Sequence, residues 1–426
     1  MRLLSADWVV PVEGPPIEHG AVAIGDDGRI AAIGAAAELG EGEHFEDAVI
    51  LPGFVNAHSH IEYANYAGFG DGLPFPPWIG LHQQRKAQLD DGEVLSVARL
   101  GAAQCLRSGI TTVGDCSFSG VAATACAGLG LRAIVYLEVF GEGAAALERF
   151  ERLRDAVGSA FSDRVRIGIS PHAPYTCTIE LYAACAALGL PMATHLSESD
   201  AELEYLLAGT GPWESLAAYL VTPLGRAAIP ALAEAGVLGR NMVAAHCVRV
   251  TAEEIALLAQ HDVGVAHCPR SNALLGCGVA PLAALRDAGV RVAIATDSPA
   301  STPSFDMFDE LRAAVMAARA RERQPDALLA ADALELATLG GARVLGLDDE
   351  IGSLVPGKRA DITVLSLADS VFIPWEDPVS ATVLGGSPDQ IVATLVDGDE
   401  RYRRGGTTWH ASTSAARQAR RRMLSA

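Results

Sequence analysis

Eight short apolar runs, most of them followed by a helix-like stretch, constrain the fold of this chain most strongly. They cover residues 50–58, 110–116, 131–138, 165–170, 191–196, 241–246, 263–268 and 290–297. Near-continuous apolar strands are typical of parallel sheets, which are buried on both faces. Stretches with helical periodicity, such as 93–109 and 251–261, separate the runs. The pattern predicts an α/β fold, a (β/α)₈ TIM barrel.

The two ends of the chain have a different character. Residues 1–50 and 353–397 alternate short β-like runs with turn residues. We expect these ends to pair into a small β-sandwich beside the barrel. The predicted division is 1–50 and 351–405 for the sandwich, 51–350 for the barrel, and 406–426 for a basic helical tail, interpreted as a frayed end.

Polar side chains gather at the ends of the predicted strands, where the active sites of such barrels lie. Six of the eleven histidines fall at these ends. A lone histidine is usually structural, but a constellation of this kind indicates a functional site. The strand-end residues are His58, His60, Asp115, Glu138, His172, His195, Glu198, His246, His267 and Asp297.

The H-x-H pair after the first run has a geometric reason. Residues i and i+2 of a strand point to the same face, so His58 and His60 can aim two imidazoles at one point. His195 adds a nitrogen and Asp297 an oxygen, which together describe a catalytic site for a divalent metal, Zn²⁺ or Fe²⁺. The alternative is a chance pair of histidines.

The number of metal ions follows from the lysines. Some barrel hydrolases bridge two metals with a carbamylated lysine at the end of the fourth strand. The chain has only two lysines, Lys86 and Lys358, and neither lies on a predicted barrel strand. We therefore predict one divalent ion.

Charge and cysteine content narrow the class of partner. The formal net charge of −20 disfavours binding to phosphate backbones and anionic lipid. We expect neither a signal peptide nor a membrane span, since no apolar run is long enough for a span. The eight cysteines contain no C-x-x-C pair and are expected to be buried, reduced thiols. A cytoplasmic enzyme with a small-molecule substrate fits best, and a homodimer is left open.

The segments LPGFVNAHSH, SPHAPYT, THLSES, VAAHC, AHCPRSN and ATDSPAS occur in this order and resemble the amidohydrolase superfamily. They are similar to its mononuclear aminohydrolases, which include cytosine, guanine and S-adenosylhomocysteine deaminases and triazine hydrolases. The resemblance implies that His58, His60, His195 and Asp297 bind the metal. It further implies that Glu198 shuttles a proton, that His246 and Asp297 hold the water and that His172 contacts substrate.

Within this branch the chain most resembles the aminofutalosine deaminases of the alternative menaquinone route. The likeness rests on HSHIEYANY, FPPWIGLHQQR, HLSESDAELEYLLAGTGPW and AHCPRSNALLGCGVAPL. It implies hydrolytic deamination of 6-amino-6-deoxyfutalosine. Glu62, Trp78 and Arg270 are further candidates for substrate binding, with Arg270 either pairing with the substrate's benzoate or bracing the barrel rim.

Two alternatives stay open. The same site suits guanine, pterin, S-adenosylhomocysteine, methylthioadenosine or triazine rings, because hydroxide attack on an electrophilic carbon is common to all of them. A barrel without catalytic activity that serves as a scaffold is the alternative from another class, although such proteins usually lose metal ligands.

Overall fold

A computed structural model describes residues 1–424, without the side chains of residues 214, 215, 408 and 410. The predicted TIM barrel is confirmed. Its eight parallel strands follow one another in chain order around the sheet. They are Phe54–Ser59, Ile110–Ser117, Arg132–Val139, Val165–Pro171, Met192–Leu196, Met242–His246, Gly264–His267 and Arg291–Ile294.

The helices surround these strands, and several begin with the capping residues that the sequence offers. Asp90 and Thr251 each form a capping box with a glutamate three residues later. The α-helices are Ala36–Leu39, Phe75–Lys86, Asp91–Arg107, Val121–Leu129, Gly143–Val157, Ile179–Ala186, Asp200–Ala208, Ala228–Glu234, Ala252–Gln260, Pro269–Leu274, Leu282–Asp287, Met307–Glu322, Ala330–Leu336, Leu339–Leu345, Pro378–Gly385 and Thr408–Leu424. Short 3₁₀ helices are Ile61–Tyr63, Gly158–Ala160, Glu214–Tyr219 and Pro388–Gln390.

The two chain ends pair with each other, as expected, and build one mixed sheet of eight strands. The first strand is parallel to the fifth, and every other pair in this sheet is antiparallel. The strands are Arg2–Val9, Ile17–Glu18, Gly20–Ile24, Ile30–Ala35, Glu43–Pro52, Ile362–Ser366, Ile391–Val396 and Asp399–Arg403.

The apolar run 50–58 was predicted to be a single strand, and that prediction is wrong. Its first residues end the module strand Glu43–Pro52, and the barrel begins at Phe54. Gly53 separates the two because a Cβ at this position would lie 2.1 Å from a side-chain carbon of Thr111. Its N–H donates to the carbonyl of Asp361 at 2.9 Å. The chain thus passes from one sheet to the other within a single residue.

A buried ion-pair network joins the β module to the base of the barrel. Arg132, on the third barrel strand, donates to Asp361 at 2.9 and 3.1 Å and to Asp397 at 2.5 Å. Arg164 and Arg359 also bind Asp397. Because the arginines approach from both layers, their contacts fix the orientation of the barrel on the module.

The C-terminal segment is a docked helix, so the expectation of a frayed end is wrong for its described part, and residues 425 and 426 lie outside the described residues. Ala416, Ala419 and Met423 bury one face of the helix Thr408–Leu424. Arg420 donates to the carbonyl of Ala67 at 3.0 Å and lies 3.8 Å from the ring centroid of Phe69.

Two further expectations concern the whole described chain. All eight cysteines are buried and free of disulfides, as predicted. Within residues 1–424, no helix has the length and apolar character needed to cross a membrane.

Candidate active site

The first barrel strand delivers the two histidines of the H-x-H motif to the carboxyl end of the barrel. Their ring centroids lie 4.9 Å apart. Asp115, at the end of the second strand, holds this segment in place. Its Oδ2 accepts the N–H of Ile61 at 2.7 Å and the hydroxyl of Ser59 at 2.8 Å. The position of His58 and His60 is therefore set by a buried carboxylate on the neighbouring strand.

Asp297 reaches the same point where the last strand meets the first. Its N–H donates to the carbonyl of His58 at 3.0 Å, at a backbone φ of 60°. Ser271 and Ser301 each donate to Oδ2 of Asp297 at 2.7 Å. The other oxygen, Oδ1, lies 3.4 Å from Nε2 of His58 and 3.5 Å from Nε2 of His60. The closure of the barrel and the construction of the site thus use the same residues.

His195 completes the group from the fifth strand. Its Nδ1 donates to the carbonyl of His172 at 2.9 Å, which leaves a lone pair on Nε2. That Nε2 lies 3.2 Å from Nε2 of His60. The ring of His195 is thereby fixed with its free nitrogen directed at the other histidines.

The donor set fits a divalent metal ion. Ligand atoms of His58, His60 and Asp297, and those of His58, His195 and His246, lie within 4.8 Å of one another. The Nε2 atoms of His58 and His246 are buried and have no hydrogen-bond partner among the described residues. Burial lowers the pKa of His60 to about 3 and that of His246 to about 4, so both rings are neutral, as ligation requires.

Glu198 lies beside this group, buried and directed toward His246. The distance between its Oε1 and Nε2 of His246 is 3.6 Å. Burial raises the pKa of Glu198 above its ordinary value. Ser199 is the residue that caps the helix Asp200–Ala208, so Glu198 is not a helix cap. Its carboxyl group is therefore available for proton transfer.

Two supporting residues were not found by sequence reasoning. Asn272 Oδ1 lies 2.9 Å from Nδ1 of His246; because this oxygen can only accept, it leaves Nε2 of the histidine with a lone pair. Glu202 accepts the main-chain N–H groups of Ser197 and Glu198 at 2.9 and 2.7 Å. It thereby shapes the turn that presents the Glu198 side chain.

An aromatic pocket of about 910 Å³, including its mouth, opens above the histidines. The helix Phe75–Lys86 and the 3₁₀ helix Glu214–Tyr219 contribute to its walls. Trp78 and His172, two predicted substrate-binding residues, line it. Its other aromatic and apolar lining residues are Tyr63, Phe75, Ile79, Phe118, Phe140, Tyr175, Leu216, Tyr219, Leu275 and Ala300.

Glu62 is not among the residues that line the pocket, so its contact with substrate stays a prediction. It is buried, and its carboxylate accepts the hydroxyl of Ser117 at 2.5 Å and that of Ser119 at 2.5 Å. The N–H of Ser119 also donates to both oxygens. The acid is thus occupied by the loop after the second strand.

Arg270 is not among the residues that line the pocket either, so its pairing with a substrate carboxylate stays a prediction. Its Nε donates to Glu310 at 2.6 Å and its Nη2 donates to the carbonyl of Ser304 at 2.8 Å. Glu310 is completely buried. These contacts match the alternative role of Arg270 as a brace of the barrel rim.

A charged cluster behind the pocket wall was also missed. Lys86 Nζ lies 3.2 Å from the ring centroid of Phe118 and donates to the hydroxyl of Tyr63 at 3.2 Å. Burial lowers the pKa of Lys86 to about 8, although Glu138 opposes the shift. Glu138 was recognised as a strand-end residue but given no role. The signal for Lys86 was its rarity, because the chain has only one other lysine.

Comparison with known proteins points to one family. The model of the amidohydrolase family matches residues 49–401. The 5′-deoxyadenosine deaminase of Methanothermobacter thermautotrophicus is 34% identical over 396 residues, covering 90% of this chain and 89% of the relative. The 5-methylthioadenosine/S-adenosylhomocysteine deaminase of Moorella thermoacetica is 35% identical over 412 residues, with 93% of each chain covered.

Solved structures agree with the fold. An adenosine deaminase from Xanthomonas campestris with bound zinc superposes with a TM-score of 0.87 at 30% identity, covering 100% of this chain and 98% of the other. Atrazine chlorohydrolase from Arthrobacter aurescens, complexed with zinc, gives a TM-score of 0.83 at 22% identity, with 98% and 100% covered.

Proposed function

This chain belongs to the amidohydrolase family and is a deaminase that hydrolyses carbon–nitrogen bonds, and we propose that its substrate is an adenine nucleoside with a neutral 5′ group. The observation that carries the proposal is a metal-ligand set beside a buried carboxyl group, at the floor of an aromatic pocket. Aromatic walls suit a flat purine ring. The similarity to relatives named as deaminases of 5′-deoxyadenosine and of 5-methylthioadenosine/S-adenosylhomocysteine supports the adenine nucleoside.

The charge of the pocket supports the neutral 5′ group. No lysine or arginine occurs among the described residues that line it. A carboxylate bound there would lose its hydration without gaining a cation, which is costly. The substrate predicted from the sequence, 6-amino-6-deoxyfutalosine, carries a benzoate. Arg270, the residue expected to bind this benzoate, instead donates to Glu310. We therefore propose substrates such as 5′-deoxyadenosine and 5′-methylthioadenosine over the futalosine.

The metal would be held by His58, His60, His195 and Asp297. We propose one zinc ion, since the adenosine deaminase from Xanthomonas campestris, which is 30% identical, contains zinc; the donor set also suits Fe²⁺. When bound, such an ion lowers the pKa of water toward neutrality and thereby supplies a nucleophile.

The chain's own residues perform the proton transfers. Glu198 is placed to take a proton from the attacking water and give it to the ring nitrogen beside the amine-bearing carbon; it can then pass the remaining hydroxyl proton to the departing amine. His246, with its Nε2 lone pair directed into the site by Asn272, orients a water molecule as a hydrogen-bond acceptor. The aromatic walls exclude bulk water. Ammonia leaves, and a carbonyl remains on the ring.

An assay of ammonia release tests the proposal. The zinc-loaded protein is incubated with 5′-deoxyadenosine, 5′-methylthioadenosine, S-adenosylhomocysteine and 6-amino-6-deoxyfutalosine, with guanine as a purine that lacks a sugar. We expect the highest kcat/KM for the first two compounds. Preferred turnover of the futalosine would restore the sequence-based prediction, and turnover of guanine alone would contradict a nucleoside substrate.

A further inference from the structure

Glu138 is an acid in the pocket wall whose carboxylate has no partner. It lies at the end of the third barrel strand, is only 3% exposed and lines the pocket. Among the described residues, none donates a hydrogen bond to its carboxylate and none forms an ion pair with it. Buried polar groups without partners are rare in proteins and call for an explanation. A ligand in the pocket would provide one.

Two cations lie near this carboxylate, but neither forms an ion pair with it. Arg149 donates to the main-chain carbonyl of Glu138 at 3.2 Å, and its guanidinium carbon lies 4.5 Å from the ring centroid of Phe118. Lys86 lies over the same ring. Burial raises the pKa of Glu138 to about 7, and the positive charges of Lys86 and Arg149 oppose this shift. The two oxygens of the carboxylate therefore remain free to accept hydrogen bonds from a ligand.

His172 presents a second acceptor next to Glu138. Thr176 donates its hydroxyl proton to the carbonyl of Ala173 at 3.1 Å, so it receives the Nδ1 proton of His172 at 2.8 Å. The remaining nitrogen, Nε2, then carries a lone pair. Ligand atoms of Glu138, His172 and His195 lie within 4.8 Å of one another. This part of the pocket offers acceptors and calls for a ligand group rich in donors.

A second metal ion would also be attracted by acceptors, but the hydrogen bonding of His195 argues against it. The Nδ1 of His195 is used by the carbonyl of His172, and its Nε2 faces His60 at 3.2 Å. Without His195, only one carboxylate and one imidazole would remain. Two protein ligands are fewer than the three that catalytic zinc sites use.

We propose that Glu138 is a specificity residue that binds the 2′- and 3′-hydroxyl groups of the nucleoside, with His172 beside it; this rests on the proposed function. A vicinal diol offers two adjacent donors, which match the two oxygens of a carboxylate. Glu198 follows the fifth strand, Glu138 lies near the end of the third, and both acids line the pocket. A purine whose amine-bearing carbon faces Glu198 can extend its sugar toward Glu138.

The test compares two substrates on two proteins. The substrates are 5′-deoxyadenosine and 2′,3′,5′-trideoxyadenosine, which lacks the diol. For the zinc-loaded wild type we expect kcat/KM to fall about 10-fold to 100-fold when the diol is removed, as for hydrogen bonds to a charged group. In Glu138→Gln the ratio of kcat/KM for 5′-deoxyadenosine to that for the trideoxy compound should fall below about threefold, mainly through a raised KM for 5′-deoxyadenosine.

Controls separate a binding role from a structural one. Glu180→Gln, at an exposed acid, should keep the wild-type ratio, and zinc content and Tm should be measured for every protein. Glu138→Asp keeps the carboxylate but shortens the side chain by one methylene, so we expect a ratio between those of the wild type and the glutamine variant. If the glutamine variant loses its metal, the aspartate variant is used in its place.

The two proposals can fail separately. The role of Glu138 alone would be overturned if kcat/KM of the wild type fell by less than about threefold when the diol is removed. It would also be overturned if both metal-loaded Glu138 variants showed the same fall as the wild type. Absence of ammonia release from every adenine nucleoside would overturn the proposed function and this inference with it.

Discussion

Replacing Glu198 by glutamine separates proton transfer from metal binding and from stability. The side chain keeps its shape, but an amide cannot carry a proton. General acid–base catalysis by one group contributes about 100-fold to 10,000-fold, or about 3–5 kcal/mol of transition-state stabilisation. Because Glu198 lies 3.6 Å from His246 and makes no side-chain hydrogen bond to a described residue, nothing else should be lost. We expect kcat for 5′-deoxyadenosine to fall by that factor.

The same substitution should lower kcat without lowering the stability of the fold. Burial raises the pKa of Glu198 in the folded protein, so near neutral pH its ionisation opposes folding. A neutral glutamine removes that cost, and Tm should stay the same or rise. Glu204→Gln, at an exposed acid on the next helix, serves as the matched control and should retain full turnover. A kcat within about tenfold of the wild type in the zinc-loaded Glu198 variant would refute the role in proton transfer.

Three other changes test the metal site, the rim and the module. His60→Ala should lose zinc and ammonia release together in metal analysis, and full zinc occupancy would contradict its role as a ligand. Arg270→Met leaves the buried Glu310 without a cation and should cost about 3–5 kcal/mol of unfolding free energy with KM unchanged; a raised KM at constant Tm would instead favour substrate binding. Burial disfavours ionisation of Asp397, but Arg132 and neighbouring arginines outweigh it and hold its pKa at about 2. The stability that this acid contributes is present above about pH 4, its ordinary pKa, and is lost as the pH falls toward 2. Asp397→Asn should therefore flatten the fall of Tm over this range, and an unchanged acid limb would contradict the assignment.

The barrel and the metal-ligand candidates could be predicted because both depend on local pattern and chain order. Parallel strands that follow one another place all their carboxyl ends on one face, so His58, His195 and Asp297 had to converge wherever their strands lay. The join at Gly53 was missed because an apolar run carries no mark of which sheet it enters. Only the approach of Thr111, distant in sequence, divides that run.

The tail illustrates a signal that was present but weak. Ala416, Ala419 and Met423 recur at helical spacing, yet alanines bury little area and a basic sequence looks solvated. The helix docks because Arg420 finds carbonyls and the ring of Phe69 in the loop after the first barrel strand. Those partners depend on where the loop lies, and periodicity says nothing about that.

Pocket residues were the hardest to assign, because a charged side chain near a strand end can face a ligand or another charge. In the sequence, Arg270 and Glu62 look as suitable for substrate binding as Glu138 does. In the structure, however, Arg270 donates to Glu310, and Glu62 accepts hydrogen bonds from the serines at and after the end of the second strand. Among these three, Glu138 is the one that lines the cavity and whose carboxyl group accepts no hydrogen bond from a described residue. What singles out Glu138 as the proposed substrate-binding residue is the absence of a hydrogen-bonding protein partner, which becomes visible only once every neighbouring element is in place.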